Sequence, residues 1–381
     1  MTAPLSASTT QHYLDLLEHI RPELEVLANE TDETERFPTK AYEILRDNGL
    51  LRLTLPVEWG GGGLSATEFF PVLQAVAKIH GTFRMFVHGQ NGLWRMVHDW
   101  GTDAQKQQWL PVIRDGALFT FALTEPDNGT GRDISTRAER DGEGWVINGK
   151  KHLITWAAEA KLMHLIARTS DVRGEEATCF LVPRNTPGCT VEKLPHTMGC
   201  KGGSHDIVHF ENCRLPADAV LGGVGNGLQL GLRGFLDVSR LGIAVSALGL
   251  ARRCLELSIA FAEQRVTFGK PIASRQAVRL SIADMAMDIY SLQTAITAAA
   301  ERFDRGEGIA AEAAMCKQLG IRVVGDVTDR ALKLHGGIGY TRAHTIERHY
   351  RDARALWFEE GTSDIQRLVI ADEVLRNGVT F

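Results

Sequence analysis

Along this chain the hydrophobic period changes twice, and that change limits the folds open to it. From the start to about residue 120, apolar residues recur at helical spacing through "YLDLLEHIRPELEVLA" and again from Phe69 to Val97. "PVEWGGGG" interrupts this pattern, and its four glycines predict a turn. From about Phe121 to Val220 the runs become short and apolar or alternating: "GWVINGKKHLITW", "KLMHLIART" and "TCFLVPR", parted by "DGEG" and "NTPG". Past "GGVGNG", read as a hinge, helical spacing returns over 226–263, 275–304 and 308–335, with a last helix after Ser363. Helices, strands, helices is not the order of alternating βα units. It predicts an α+β chain in three parts: a helical 1–120, a β-rich 121–225 and a helical 226–381.

The chain of 381 residues is 44% apolar, enough for a sizeable core. A net charge of −5 argues against a nucleic-acid surface. No apolar run reaches the roughly 18 residues of a membrane span, and "MTAPLSASTTQHYLDLLEHI" lacks a basic segment leading into an apolar one, so no secretory signal is expected. The six cysteines form no C-x-x-C pair and read as reduced, buried thiols of a cytoplasmic protein. Cys200, His205, His209 and Cys213 lie close together, but C-x4-H-x3-H-x3-C matches no recognised zinc spacing, so no metal is expected.

Three stretches carry chemistry or its bland alternative. "ALTEPDNGTGRD" is either an ordinary polar loop or a cradle whose amides and glycines approach an anion or polar ring edge. Arg84 borders a helical stripe of Phe69, Leu73, Val76, Phe83 and Val87. It either snorkels to water or points a bidentate guanidinium into a pocket. In "WFEEGTSDIQ", Glu359 and Glu360 follow bulky apolar residues. They are a solvated loop edge before a helix capped by Ser363 and Asp364, or one is held dry, with a raised pKa, to move a proton.

Taken in order, "ALTEP…GT…D", "QRVTFGKPIASRQ" and "HGGIGYTRAHTIERHYRDARALWFEEGTSDIQ" resemble the acyl-CoA dehydrogenase family over nearly the whole chain. The resemblance implies an N-terminal helical domain, a central β-barrel-like domain and a C-terminal four-helix bundle. It also implies a homotetramer, a dimer of dimers, with FAD reaching across a dimer interface. Glu360 matches the base that removes the α-proton of an acyl thioester while the β-hydrogen leaves as hydride to the flavin. Its backbone N–H matches a donor to the thioester carbonyl. Leu123 and Thr124 match the flavin edge, Thr130 the pyrophosphate and Thr155 the ring nitrogen. Arg265, Thr267, Phe268 and Gln276, with Lys333, Gly336 and Gly337, match contacts across the dimer, and Thr362 and Asp364 the last FAD contacts. Asp237 and Arg240 match the CoA end of the substrate tunnel; Glu359 and Gly361 flank the base there.

Departures from the family pattern qualify this reading. Leu153 replaces a frequent tryptophan, Lys333 a frequent glutamine, and Glu359 a common tyrosine; "GTGRD" is longer than its counterpart. Ser239 occupies the place where some members put the base, leaving Glu360 as the candidate. Arg84 matches an arginine that grips the distal carboxylate in glutaryl-CoA dehydrogenases, which suggests a short acyl chain with a polar or acidic end; the competing reading is an Arg84–Glu359 salt bridge that shortens the pocket. The expected activity is therefore oxidation of a short acyl-CoA or acyl-carrier-protein thioester, with electrons passed to an electron-transfer flavoprotein or similar acceptor. Flavin monooxygenases or oxidases of this fold, and a non-catalytic FAD-holding scaffold, are the rivals. The acid at 360 counts against the first group and the acidic composition against the second.

Overall fold

The computed structural model describes residues 10–127, 133–172, 175–194 and 196–379. Helices α1 (Thr10–Thr34), α2 (Thr39–Asp47), α3 (Ala66–Ala77), α4 (Gly81–Trp100) and α5 (Asp103–Arg114) come first. The glycine turn before α3 is obligatory, because a Cβ at Gly61 would fall 1.9 Å from the Leu55 carbonyl oxygen. Ser65 and Glu68 close a capping box at the start of α3. The helical pattern from Phe69 to Val97 is two helices rather than one. His80 stops the run by capping α4, its Nδ1 accepting from the Thr82 N–H at 3.1 Å.

The strands follow: β1 (Phe119–Ala122), β2 (Arg137–Asp141), β3 (Gly144–Thr155), β4 (Leu162–Arg168), β5 (Ala177–Pro183), β6 (Cys189–Lys193), β7 (His205–Leu215) and β8 (Val220–Leu221). They form one sheet in the order β6-β7-β3-β2-β4-β5-β8, with β1 parallel to β4. Register slips between β3 and β7 at Lys151/Ile154. That irregularity turns Leu153, at φ 57°, out to solvent.

A short helix α6 (Gly227–Leu230) and a π-helical turn, Gly231–Leu236, lead into α7 (Asp237–Gln264). The hairpin of β9 (Val266–Thr267) and β10 (Lys270–Pro271) precedes α8 (Gln276–Asp304), α9 (Ala310–His335), α10 (Ile346–Ala355) and α11 (Ser363–Asn377). Helices α7, α8, α9 and α11 pack as the C-terminal bundle. Residues 239–251 of α7 are buried on every face, sandwiched between α3 and α9. Gly249 permits this, since a Cβ there would sit 2.5 Å from the Gln74 carbonyl oxygen of α3. One apolar cluster therefore joins the first and last helical regions. Among the described residues no helix is long and apolar enough to cross a membrane. All six cysteines are free and buried.

Candidate active site

The loop between α10 and α11 holds the two acids, and its backbone is unusual. Glu360 has φ 56° and Gly361 φ 94°, consecutive left-handed residues. Leu153, Phe268 and Glu360 are three of the seven non-glycine residues with positive φ in the described chain.

The doublet divides into two different carboxylates. Glu359 faces Arg84 of α4 in a bidentate pair, one bond being 2.6 Å from Nη1 to Oε2. Arg84 is only 3% exposed, which rules out the snorkelling alternative. Burial pushes Glu359 up, yet Arg84 outweighs it and holds the carboxyl below its ordinary range. Burial would likewise lower Arg84, and Glu359 more than reverses that. The pair is thus charged and mutually satisfied.

Glu360 stands apart from that pair. The Ser239 hydroxyl donates to its Oε1 at 2.9 Å, and the same oxygen of Ser239 lies 3.0 Å from His88 Nε2. Burial lowers His88 to about 4, so its imidazole is neutral; with the Ser239 hydroxyl donating its hydrogen bond to Glu360, the tautomer protonated at Nε2 is the one that can donate to the Ser239 oxygen. Among the described residues the other oxygen of Glu360 accepts no protein hydrogen bond. Burial is the main influence on Glu360 and leaves its pKa raised, despite Ser239 and the nearby Lys317 cation. An enclosed carboxylate with one oxygen uncommitted can accept a proton from a ligand carbon.

The loop itself is anchored from beneath. Lys317 of α9 donates to the carbonyls of Glu359 and Gly361, and Gln366 of α11 donates to those of Glu360 (3.0 Å) and Gly361 (3.1 Å). Trp357 packs into the notch left by Gly325 of α9, where a Cβ would approach its ring to 2.8 Å. The capping expectation needs correction: the N-cap of α11 is Thr362, while Ser363 instead bonds Gln318 at 2.9 Å.

The remaining matched residues fall into separate places. Asp237 and Arg240 pair with each other at 3.0 Å where α7 begins, close to Ser239. Leu123, Thr124 and Thr155 lie where β1 and β3 end; the Leu123 carbonyl accepts from Lys151, the Thr124 carbonyl from the His152 N–H, and the Thr155 carbonyl from Thr120. Arg265, Thr267 and Phe268 form the hairpin after α7, with Gln276 exposed at the start of α8. Phe261 packs its ring against that of His335, tilted by 31° with centroids 4.4 Å apart, bringing Gly336 and Gly337 to that same end of the bundle. Lys333 is exposed and paired with Asp329 at 2.7 Å. Thr362 and Asp364 are exposed at the start of α11. Thr130 lies outside the described residues. Ser239 and Arg265 are at opposite ends of α7, roughly 39 Å apart at the helical rise. One chain does not bring the hairpin to Glu360.

The residues present fit FAD. Beside Thr124 and Thr155, Leu153 keeps 49% of its surface exposed in a left-handed conformation that non-glycine residues rarely adopt, presenting an apolar face next to hydrogen-bonding edges. At the far end, Phe268 is 95% exposed, and a Cβ at Gly336 or Gly337 would meet nothing within 4 Å, leaving an open cradle. Three of the four candidate metal residues do other work: His209 bonds Glu192 at 2.8 Å, while Cys200 and Cys213 are core thiols.

Lys317, Gln366 and the role of His88 escaped the sequence reading. A signal existed for Lys317: it lies within the apolar stripe of α9, among Ala313, Ala314, Ile321 and Val324, where an ammonium is costly unless used.

Comparison with known proteins agrees with the geometry. The family descriptions for the acyl-CoA dehydrogenase N-terminal, middle and C-terminal domains match residues 16–117, 120–213 and 225–375. The human mitochondrial short-chain specific acyl-CoA dehydrogenase is 35% identical over 359 residues, 93% of this chain and 87% of the relative. An acryloyl-CoA reductase (NADH) of Anaerotignum propionicum is 33% identical, over 93% and 91%. The structure of butyryl-CoA dehydrogenase from Megasphaera elsdenii superimposes with a TM-score of 0.93 at 28% identity, covering 99% of this chain and 100% of that one.

Proposed function

The chain belongs to the acyl-CoA dehydrogenase family, oxidoreductases that use FAD, and from that premise we propose that it oxidises short acyl-CoA thioesters at the α,β bond with Glu360 as base. The observation that carries this reading is the uncommitted oxygen of a half-buried Glu360 whose pKa is raised. FAD, when bound, supplies the acceptor for the β-hydrogen, which leaves as hydride. Glu360 takes the α-proton on its free oxygen, and the acyl chain becomes a 2-enoyl thioester. Ser239 holds the carboxylate in place, and the Glu360 N–H polarises the thioester carbonyl. Leu123, Thr124 and Thr155 would line the ring of FAD. Asp237 and Arg240 lie toward the thioester carrier, CoA or a carrier protein.

Short chains are favoured because Arg84 and Glu359 put a charged, desolvated pair beside the base, where a long methyl-ended chain would have to displace it. The names of the short-chain and butyryl-CoA relatives support the same class. The acidic-terminus expectation loses ground: the fork of Arg84 is already filled by Glu359, so a distal carboxylate meets a neutralised pair. The hairpin at the remote end of α7 supports a homotetramer in which it serves a partner's FAD, with an electron-transfer flavoprotein or similar acceptor collecting the electrons.

Anaerobic bleaching of the FAD-loaded protein by a panel of acyl-CoAs tests this. Butyryl-CoA should bleach fastest, with octanoyl-CoA and glutaryl-CoA slower by about tenfold or more. Faster bleaching by glutaryl-CoA would restore the acidic-substrate reading, and no bleaching by any thioester would end the dehydrogenase one.

A further inference from the structure

We propose that Lys317 is a positioning residue for the base: by gripping the carbonyls on both sides of Glu360 it fixes the left-handed turn, aims the Glu360 N–H, and sets a cation facing the carboxylate without bonding it. The inference rests on the dehydrogenase reading only for its kinetic consequence. Its geometry stands independently.

Lys317 is fully buried on α9, and its hydrogen bonds go to the main chain at Glu359 and Gly361. A neutral side chain would fill this place at lower desolvation cost, so the charge requires a use. Two uses follow from where it sits. In a trans peptide, the C=O of Glu359 and the N–H of Glu360 point in opposite directions, and no cis peptide occurs among the described residues. Drawing the Glu359 carbonyl down to α9 therefore turns the Glu360 N–H away from α9, toward the side on which its free carboxylate oxygen can meet a ligand. With Gln366 holding the Glu360 and Gly361 carbonyls, three successive carbonyls are captured. The amide donor and the base are thus set by one clamp.

The second use is electrostatic. Lys317 is faced by Glu360, Glu359 and Arg240. Glu360 is faced by Ser239, Lys317, Glu359 and Arg240, with Arg84, His88 and His205 grouped around Glu359 behind it. Burial pulls Lys317 down to about 8, with Glu360 foremost in opposing it, so the lysine remains mostly protonated at neutral pH. The cation opposes the upward push of burial on the Glu360 carboxyl. Because it bonds neither carboxylate oxygen, it leaves the base free to take a proton.

The test uses full-length, FAD-loaded Lys317→Met and Lys317→Gln. The Met variant loses both uses, whereas the Gln variant keeps a donor for the carbonyls without charge. Infrared titration of the Glu360 carboxyl in substrate-free protein, subtracting Glu360→Gln, should show its midpoint raised by about one pH unit or more in both. At saturating butyryl-CoA, flavin reduction should slow by about 10–100-fold in Lys317→Met, and less in Lys317→Gln, with half-saturation changed under about threefold. An unmoved carboxyl midpoint in either variant that retains FAD overturns the proposal. The infrared result needs no substrate, so failure of the wild type to bleach would sink the dehydrogenase reading without touching this one. If neither variant folds, a crystal structure of the wild type decides: the ammonium should lie within about 3.2 Å of both carbonyls, and a longer separation from either overturns the clamp.

Discussion

The loop after β1 and the loop before α11 each combine a buried lysine with an enclosed carboxylate, and burial pulls both lysines, Lys151 and Lys317, to about 8. Lys151 donates to the Leu123 carbonyl at 2.9 Å and to Glu125 itself at 2.8 Å. Glu125 also accepts from the N–H groups of Ser135 (2.6 Å) and Thr136 (2.9 Å). Burial would raise its pKa, but these partners leave it lowered. Glu360 receives one hydroxyl while its lysine spends both bonds on backbone, and its pKa stays raised. What separates a carboxylate that ties a loop from one able to move a proton is not burial. It is whether the available donors reach the carboxylate oxygens or stop at the chain beneath.

Removing one member of each lysine–carboxylate set should expose that contrast most sharply. Glu360→Gln should leave a folded, yellow protein whose flavin reduction by butyryl-CoA slows by roughly 10²–10⁴ or more; normal bleaching would cancel the distinction. Lys151→Met should act on stability instead, costing about 3–5 kcal/mol because Glu125 is left buried without its cation, as read by denaturant unfolding. The sign with pH follows from the lowered Glu125: its contribution is present above the unfolded value of about 4.3 and is lost as pH falls through its folded value.

Smaller effects refine the comparison. Glu359→Gln should release the fork of Arg84 and shift the ratio of kcat/KM for glutaryl-CoA over butyryl-CoA upward by about tenfold. An unchanged ratio would mean Arg84 does not reach the chain end. Ser239→Ala removes the hydroxyl donor to Glu360, so the acid limb of kcat/KM should move to higher pH by less than about one unit. A downward shift would contradict the bond's direction.

Much of this was legible in the sequence because periodicity reports it. The strand-rich middle between helical ends and the separate helices 275–304 and 308–335 follow from apolar spacing and turn residues. The break at His80 was not legible, since an imidazole acting as a cap has no compositional mark. Nor was the partner of Arg84 settled: 275 residues separate it from Glu359, and only packing of α4 against the loop before α11 chooses between salt bridge and substrate grip. Lys317 was hidden by habit, because a lysine in an Ala-rich helix reads as a solvated face until the stripe around it is drawn.

The six thiols, each sealed in the interior, have an experimental consequence. Burial pushes every one of them upward, Cys189 to about 11 and Cys213 and Cys316 to about 12, with Cys179, Cys200 and Cys254 raised as well. Thiolate is scarce at neutral pH, and reagents have no path to it. The native exterior is therefore blank to maleimides, and a single cysteine engineered at the exposed Gln107 of α5 would carry a fluorophore to one known address without deleting any of its own.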